Sequence, residues 1–269
     1  MTGSQAKAAA DLLEWYAAMG ADEAIGEAPV DRFAAPEPSP KPQAESLAPR
    51  AQSRAEAPAP RAKTRAAPVD APPAPASLDA AKTLAELEAL VGQFEGCALK
   101  RTAKTTCFSR GSDTAKIMLI GEAPGRDEDL QGKPFVGRAG KLLDRMLASI
   151  GLDETKVYIT NTIYWRPPGN RTPTSQEIES CAPFLSRQIE LLSPEVMLLL
   201  GGAAAKCMLN TTEGIMRLRG KWKIYKSGDR DIPTLATLHP AYLLRKPEEK
   251  RYAWRDLLML KERLEELNT

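Results

Sequence analysis

The chain has 269 residues, 43% hydrophobic and 27% charged, a globular composition that excludes a wholly disordered polypeptide. Its 37 Lys and Arg stand against 35 Asp and Glu, so the formal charge of +2 excludes histone-like wrapping and leaves nucleic-acid affinity to the local placement of cations. No run reaches the roughly 18 apolar residues of a membrane span, and no basic, then apolar, leader opens the chain. Cys97, Cys107, Cys181 and Cys207 contain no C-x-x-C pair, which argues against a zinc ribbon or a disulfide framework and for reduced thiols in a cytoplasmic protein.

Leu12, Leu13, Trp15, Tyr16 and Met19 share one helical face ahead of Gly20, so residues 6–19 read as a short amphipathic helix. The segment 1–33 suits either docking on a protein partner or folding back on the main domain. More than half of residues 34–76 are Ala or Pro with almost no large apolar side chains, and 34–78 reads as a disordered, semi-stiff linker. From 79 to 269, short β-rich runs alternate with helical stretches, which predicts an α/β domain with a mostly parallel sheet. The expected strands are residues 116–120, 157–160, 196–200 and 234–238; the expected helices are 137–150, 175–192, 203–209 and 247–267. Ligands of open parallel sheets sit beyond the carboxyl ends of the strands, which gathers 121–129, 161–171, 201–202 and 239–245 around one crevice.

The first of these loops runs Gly121-Glu122-Ala123-Pro124-Gly125 and on through Glu128 to Phe135. Small residues there let backbone approach a ligand closely, and Glu122 and Glu128 bring carboxylates to the same place. A phosphate cradle fits poorly, because the Gly-Lys-Ser/Thr ending and the G-x-G-x-x-G spacing are missing and the acids would repel phosphate. Asn161, at a strand end, offers a donor and an acceptor together, which suits the edge of a flat heterocycle, though such an amide also serves as a turn cap. His239, the one histidine of the chain, opens a basic, leucine-bearing loop.

GEAPG with PFVGRAG, the NxxxxRPPxNR segment, the GGAAA turn, LRGKW and HPAYLLR together resemble the family 4 (type-4) uracil-DNA glycosylases, in order and spacing, over roughly residues 84–264. The resemblance implies a three-layer sandwich around a central four-stranded, mostly parallel sheet. It also implies a monofunctional base-flipping repair enzyme that hydrolyses the bond between uracil and deoxyribose and leaves an abasic site. By the same resemblance the flipped base stacks on Phe135, Asn161 reads its N3 and O4 edge, and backbone from Gly121, Glu122 and Ala123 closes the other side. His239 then donates to O2 as charge collects there. A carboxylate stabilises the cationic sugar and positions water; Glu128 is the first candidate and Glu122 the second. Gly125 falls where other branches of the superfamily block the thymine methyl group.

The family's four cluster cysteines correspond here to Phe94, Cys97, Trp165 and Cys181, so no [4Fe-4S] cluster and no other cofactor is expected, the two aromatic rings filling its space. DNA is expected to be gripped through its backbone by Arg166, Arg171, Arg217, Arg219, Lys221, Arg245 and Lys246, with Leu243 or Leu244 as a wedge. The protein is read as a monomer. The alternative is a non-catalytic uracil- or abasic-DNA binding module tethered to a repair or replication partner.

Overall fold

The computed structural model describes residues 78–267; the N-terminal segment and nearly all of the linker lie outside the described residues. In chain order the elements are α1 (Leu84–Gln93), β1 (Arg110–Gly111), β2 (Ile117–Gly121), α2 (Arg126–Gln131), α3 (Arg138–Ala148), β3 (Val157–Asn161) and α4 (Ser175–Leu192). There follow β4 (Val196–Leu200), α5 (Gly202–Leu209), α6 (Ile215–Leu218), β5 (Trp222–Ser227), β6 (Arg230–Thr237), α7 (Pro240–Arg245) and α8 (Lys250–Leu267).

Every residue of β2, β3 and β4 is buried, as expected of unbroken Val/Ile/Leu-rich runs in a parallel sheet covered on both faces. The strand order is β1-β3-β2-β4-β6-β5, and β3, β2, β4 and β6 run parallel. Alternate residues feed opposite layers. Met118, Ile120, Tyr158, Met197 and Leu199 pack with Leu185 and Ile189 of α4. Ile117, Leu119, Val157, Ile159, Leu198 and Leu200 pack with Leu143 and Leu147 of α3 and Leu257 and Leu260 of α8. The period of two thus builds the three-layer sandwich, and the four expected strands form its parallel centre.

Two antiparallel edge strands extend the sheet to six among the described residues. β1 has only two residues, too few to show a period. β5 reads Trp-Lys-Ile-Tyr-Lys-Ser and exposes Ile224, so the alternation that marks a half-buried strand is lost. β6 starts at Arg230, earlier than expected, because its first residues pair with the edge strand β5 alone, and the first pairing with β4 is Met197 with Thr234. Helix α4 matches its expected bounds, set by a capping box in which Thr174 accepts from the Glu177 N–H and Glu177 from the Thr174 N–H.

Candidate active site

The carboxyl ends of β2, β3 and β6 open into a slot of about 450 Å³ whose walls include Glu122, Ala123, Gly125, Glu128, Phe135, Ala139, Asn161, Arg171, Thr172, His239 and Arg245. The residues singled out from the sequence as a base-binding set are brought together here. Phe135 is only 5% exposed, yet its ring forms a wall, with its centroid 5.6 Å from that of His239 at an interplanar angle of 31°. Its φ of 56° is rare for an aromatic residue and turns the backbone so that the side chain enters the slot.

Three glycines make this assembly possible. A Cβ on Gly121 would lie against Asn161 Oδ1 and 2.5 Å from Phe135 Cζ. One on Gly140 would overlap the Phe135 carbonyl, and one on Gly201 would come 2.8 Å from His239 Cβ. None of these roles is visible in a linear sequence; the repeated glycines were the only signal. Ala139 and Thr172 line the slot without having been singled out at all.

Asn161 is 1% exposed, and its Oδ1 has no hydrogen-bond partner. A buried acceptor left open is costly, and a donor from outside the chain, water or ligand, is what satisfies it. His239 accepts the Ala241 N–H on Nδ1 at 3.1 Å, which leaves Nε2 as the protonated, donating nitrogen of a neutral ring. Burial first, and the positive charge of Arg245 second, push its pKa down to about 4. Between that value and the ordinary histidine pKa the unfolded chain binds the proton and the folded chain does not, so this residue makes stability fall as pH drops through the window. In acid titrations followed by melting temperature, His239→Gln is therefore expected to lose less stability than the parent between about pH 6.5 and 4.

The two acids differ. Glu128 Oε1 accepts the N–H groups of Val136 at 3.0 Å and Gly137 at 2.9 Å, and Oε2 that of Gly125 at 3.1 Å. Its carboxylate staples the two strands of loop that form the slot wall. Glu122 has no side-chain hydrogen bond or ion pair among the described residues; burial pushes its pKa up, and it faces both the slot and a neighbouring groove of about 700 Å³.

Several expected DNA contacts need correction. Leu243 is completely buried and packs in the cluster that holds Leu238 and Ala253, so it is no wedge; Leu244, 38% exposed, remains available. Arg219 caps α6, and its guanidinium binds Asp256 Oδ2 at 3.0 Å and Oδ1 at 2.5 Å and the Tyr252 carbonyl at 2.7 Å. Asp256 is fully buried and also accepts from Thr237 Oγ1 at 2.7 Å, so this pair ties α8 to the end of β6 rather than gripping phosphate. Arg219→Ala is expected to cost ~3–5 kcal/mol in urea unfolding, since it strands a buried charge; Arg217→Ala, at an exposed position, should cost almost nothing in the same titration. Arg171 gives both terminal nitrogens to Glu177, at 2.8 and 2.6 Å, and so braces α4 at the slot mouth. Arg166 donates to Asn170 Oδ1 at 2.8 Å, while Lys221, Arg245 and Lys246 are exposed.

At the positions where a cluster would be ligated, the Phe94 ring stacks against Trp165 at 6.4 Å and meets Phe184 edge-on at 4.8 Å, with Cys97 and Cys181 buried in the same cluster. Among the described residues no three His, Cys, Asp or Glu side chains are grouped to hold a metal ion. Two thiols and two bulky rings do not fit a four-thiolate cluster.

This parallel α/β sheet, with a buried amide, an imidazole and an aromatic wall at its carboxyl edge, belongs to the Uracil DNA glycosylase superfamily, whose family profile matches residues 108–258. The chain is 44% identical over 156 residues to a type-4 uracil-DNA glycosylase of Archaeoglobus fulgidus, covering 56% of this chain and 78% of that one. It is 40% identical over 179 residues to the enzyme of that type from Saccharolobus solfataricus, covering 65% and 83%, and 39% identical over 156 residues to that of Thermotoga maritima, covering 58% and 80%. The chain belongs to the type-4 uracil-DNA glycosylase family.

Proposed function

We propose that the slot receives a uracil flipped out of DNA and that the protein hydrolyses its N-glycosidic bond, in base excision repair. The observation that carries this reading is the open Asn161 Oδ1 in a slot that also holds the donating Nε2 of His239 and the Phe135 face. Uracil presents an imide N3–H to the first, O2 to the second and a ring face to the third. As the bond from C1′ to N1 breaks, its electron pair moves onto the base and collects at O2, where the His239 N–H donates and no proton transfer is required. The sugar is left cationic. Glu122, with both oxygens free, faces it as a carboxylate and positions the water that attacks C1′; the neighbouring groove leaves Glu122 open to water on the side away from the base. Glu128 serves in this reading as the staple of the slot wall rather than as the reacting acid.

Among the described residues no lysine lines the slot to form a Schiff base with the abasic sugar, which supports a monofunctional enzyme. Arg166, Arg217, Lys221, Arg245 and Lys246 track the DNA backbone, with Leu244 as the wedge. The packed Phe94–Trp165 pair supports folding and activity without an iron-sulfur cluster. Segment 1–33 engages a protein partner, and the enzyme works as a cytoplasmic monomer; among the described residues no helix is long and apolar enough to cross a membrane.

The test is a labelled oligonucleotide with one uracil, incubated with excess protein and treated with alkali. Cleavage at uracil and not at thymine is expected, with hypoxanthine run in parallel to define the range. Intact uracil strands that nevertheless shift in a gel would favour the binding module instead.

A further inference from the structure

Helix α2 is six residues long, too short to be stable by propensity, yet it carries the Glu128 staple of the slot wall. Its position is imposed by residues 104–107. Asp129, 4% exposed, accepts the N–H groups of Lys104 at 2.7 Å and Thr105 at 3.2 Å. Thr105 Oγ1 donates to the Asp129 carbonyl at 2.7 Å, and Cys107 Sγ to the Glu128 carbonyl at 3.1 Å. The strap is tied down in turn to the segment after β3. The Cys107 N–H donates to the Tyr164 carbonyl at 2.8 Å, and Trp165 Nε1 donates to Thr106 Oγ1 at 3.1 Å. Trp165 is 1% exposed, edge-on to Tyr164 at 6.0 Å and stacked on Phe94, so its indole N–H has one fixed direction.

We infer that Trp165 is a positioning residue for the glycosylase reaction: through Thr106 it fixes the 104–107 strap, the strap fixes α2, and α2 sets Glu128 against the N–H groups of Gly125, Val136 and Gly137. The inference rests on the reading of the slot given above. Mere filling of space by Trp165 makes a different prediction, because Trp165→Phe keeps an aromatic ring in the cluster and removes only the donor. The residue that stands in place of a cluster ligand thus ties the slot wall to the core.

The experiment is single-turnover excision at saturating protein on a uracil oligonucleotide, with affinity measured separately on a 2′-fluoro-deoxyuridine oligonucleotide that resists cleavage. Trp165→Phe and Thr106→Val are each expected to slow excision about tenfold, the effect of one well-made hydrogen bond, with affinity held within about twofold. The double variant should be no slower than either single one, since both remove the same bond. In a Glu128→Ala background, Trp165→Phe should slow excision no further. Parental rate in both single variants, additive losses in the double, or a full Trp165→Phe effect without Glu128 would each overturn the inference. Should Trp165→Phe fail to fold, Thr106→Val carries the same comparison from the other end of the bond. A parent protein inert on uracil DNA would instead overturn the function on which the inference rests.

Discussion

Glu122→Gln is expected to lower the single-turnover rate of uracil excision by ~10²- to 10³-fold while affinity for uracil-containing DNA changes little. The substitution keeps shape and hydrogen-bonding reach but removes the negative charge that the cationic sugar requires. Its pH signature follows from burial, which raises the pKa of Glu122 above the ordinary carboxylate value. The parent rate should therefore begin to fall in acid earlier than a surface carboxylate would dictate, and the Gln variant should lose that limb of the profile. Stability moves the other way. A carboxyl whose folded pKa is raised weakens the fold as pH rises through the window between its unfolded and folded values, and the weakening persists above it. At neutral pH Glu122→Gln should melt no lower than the parent, which separates lost chemistry from lost folding. A variant within tenfold of the parent rate would move the acid role back to Glu128.

Gly121→Ala is expected to cost about 10²-fold in the same assay, because its methyl group would press on Asn161 Oδ1 and the Phe135 ring together. Both groups must move, and a displacement near 1 Å in groups that orient a reacting base is enough for a loss of that order. The loss should appear in affinity for free uracil, read by competition, as well as in rate, since recognition and alignment share these two side chains. Full affinity for uracil would show that the slot tolerates the methyl group and that its floor is softer than the packing indicates.

Much of this architecture is legible in the sequence. Runs such as Ile117–Gly121 and Val196–Leu200 are unbroken and apolar because both faces of the strands are covered, and the helical stretch 175–192 is found unchanged as α4. The slot follows, because strand ends in a parallel sheet have a fixed direction and Asn161 and His239 fall at two of them. What linear reading misses is three-dimensional competition for a side chain. Arg219 and Lys221 look alike in LRGKW, yet Asp256, 37 residues later, claims the arginine. Leu243 and Leu244 are neighbours of one type, and only the helical turn decides which is buried. Glu128 looks like a free acid until three backbone N–H groups converge on it.

The slot draws Gly121, Phe135, Asn161, Gly201 and His239 from separate strands and turns, and the last of them follows β6, next to the sheet edge. Contacts so distant along the chain close late, after the ordered framework has paid its loop entropy. A polypeptide still emerging from the ribosome, or one trimmed by a protease before residue 239, therefore carries the Phe135 ring and the Asn161 amide but lacks the imidazole beside them. The slot is whole only when the C-terminal third of the chain has joined the sheet, so truncation there removes one wall rather than the scaffold.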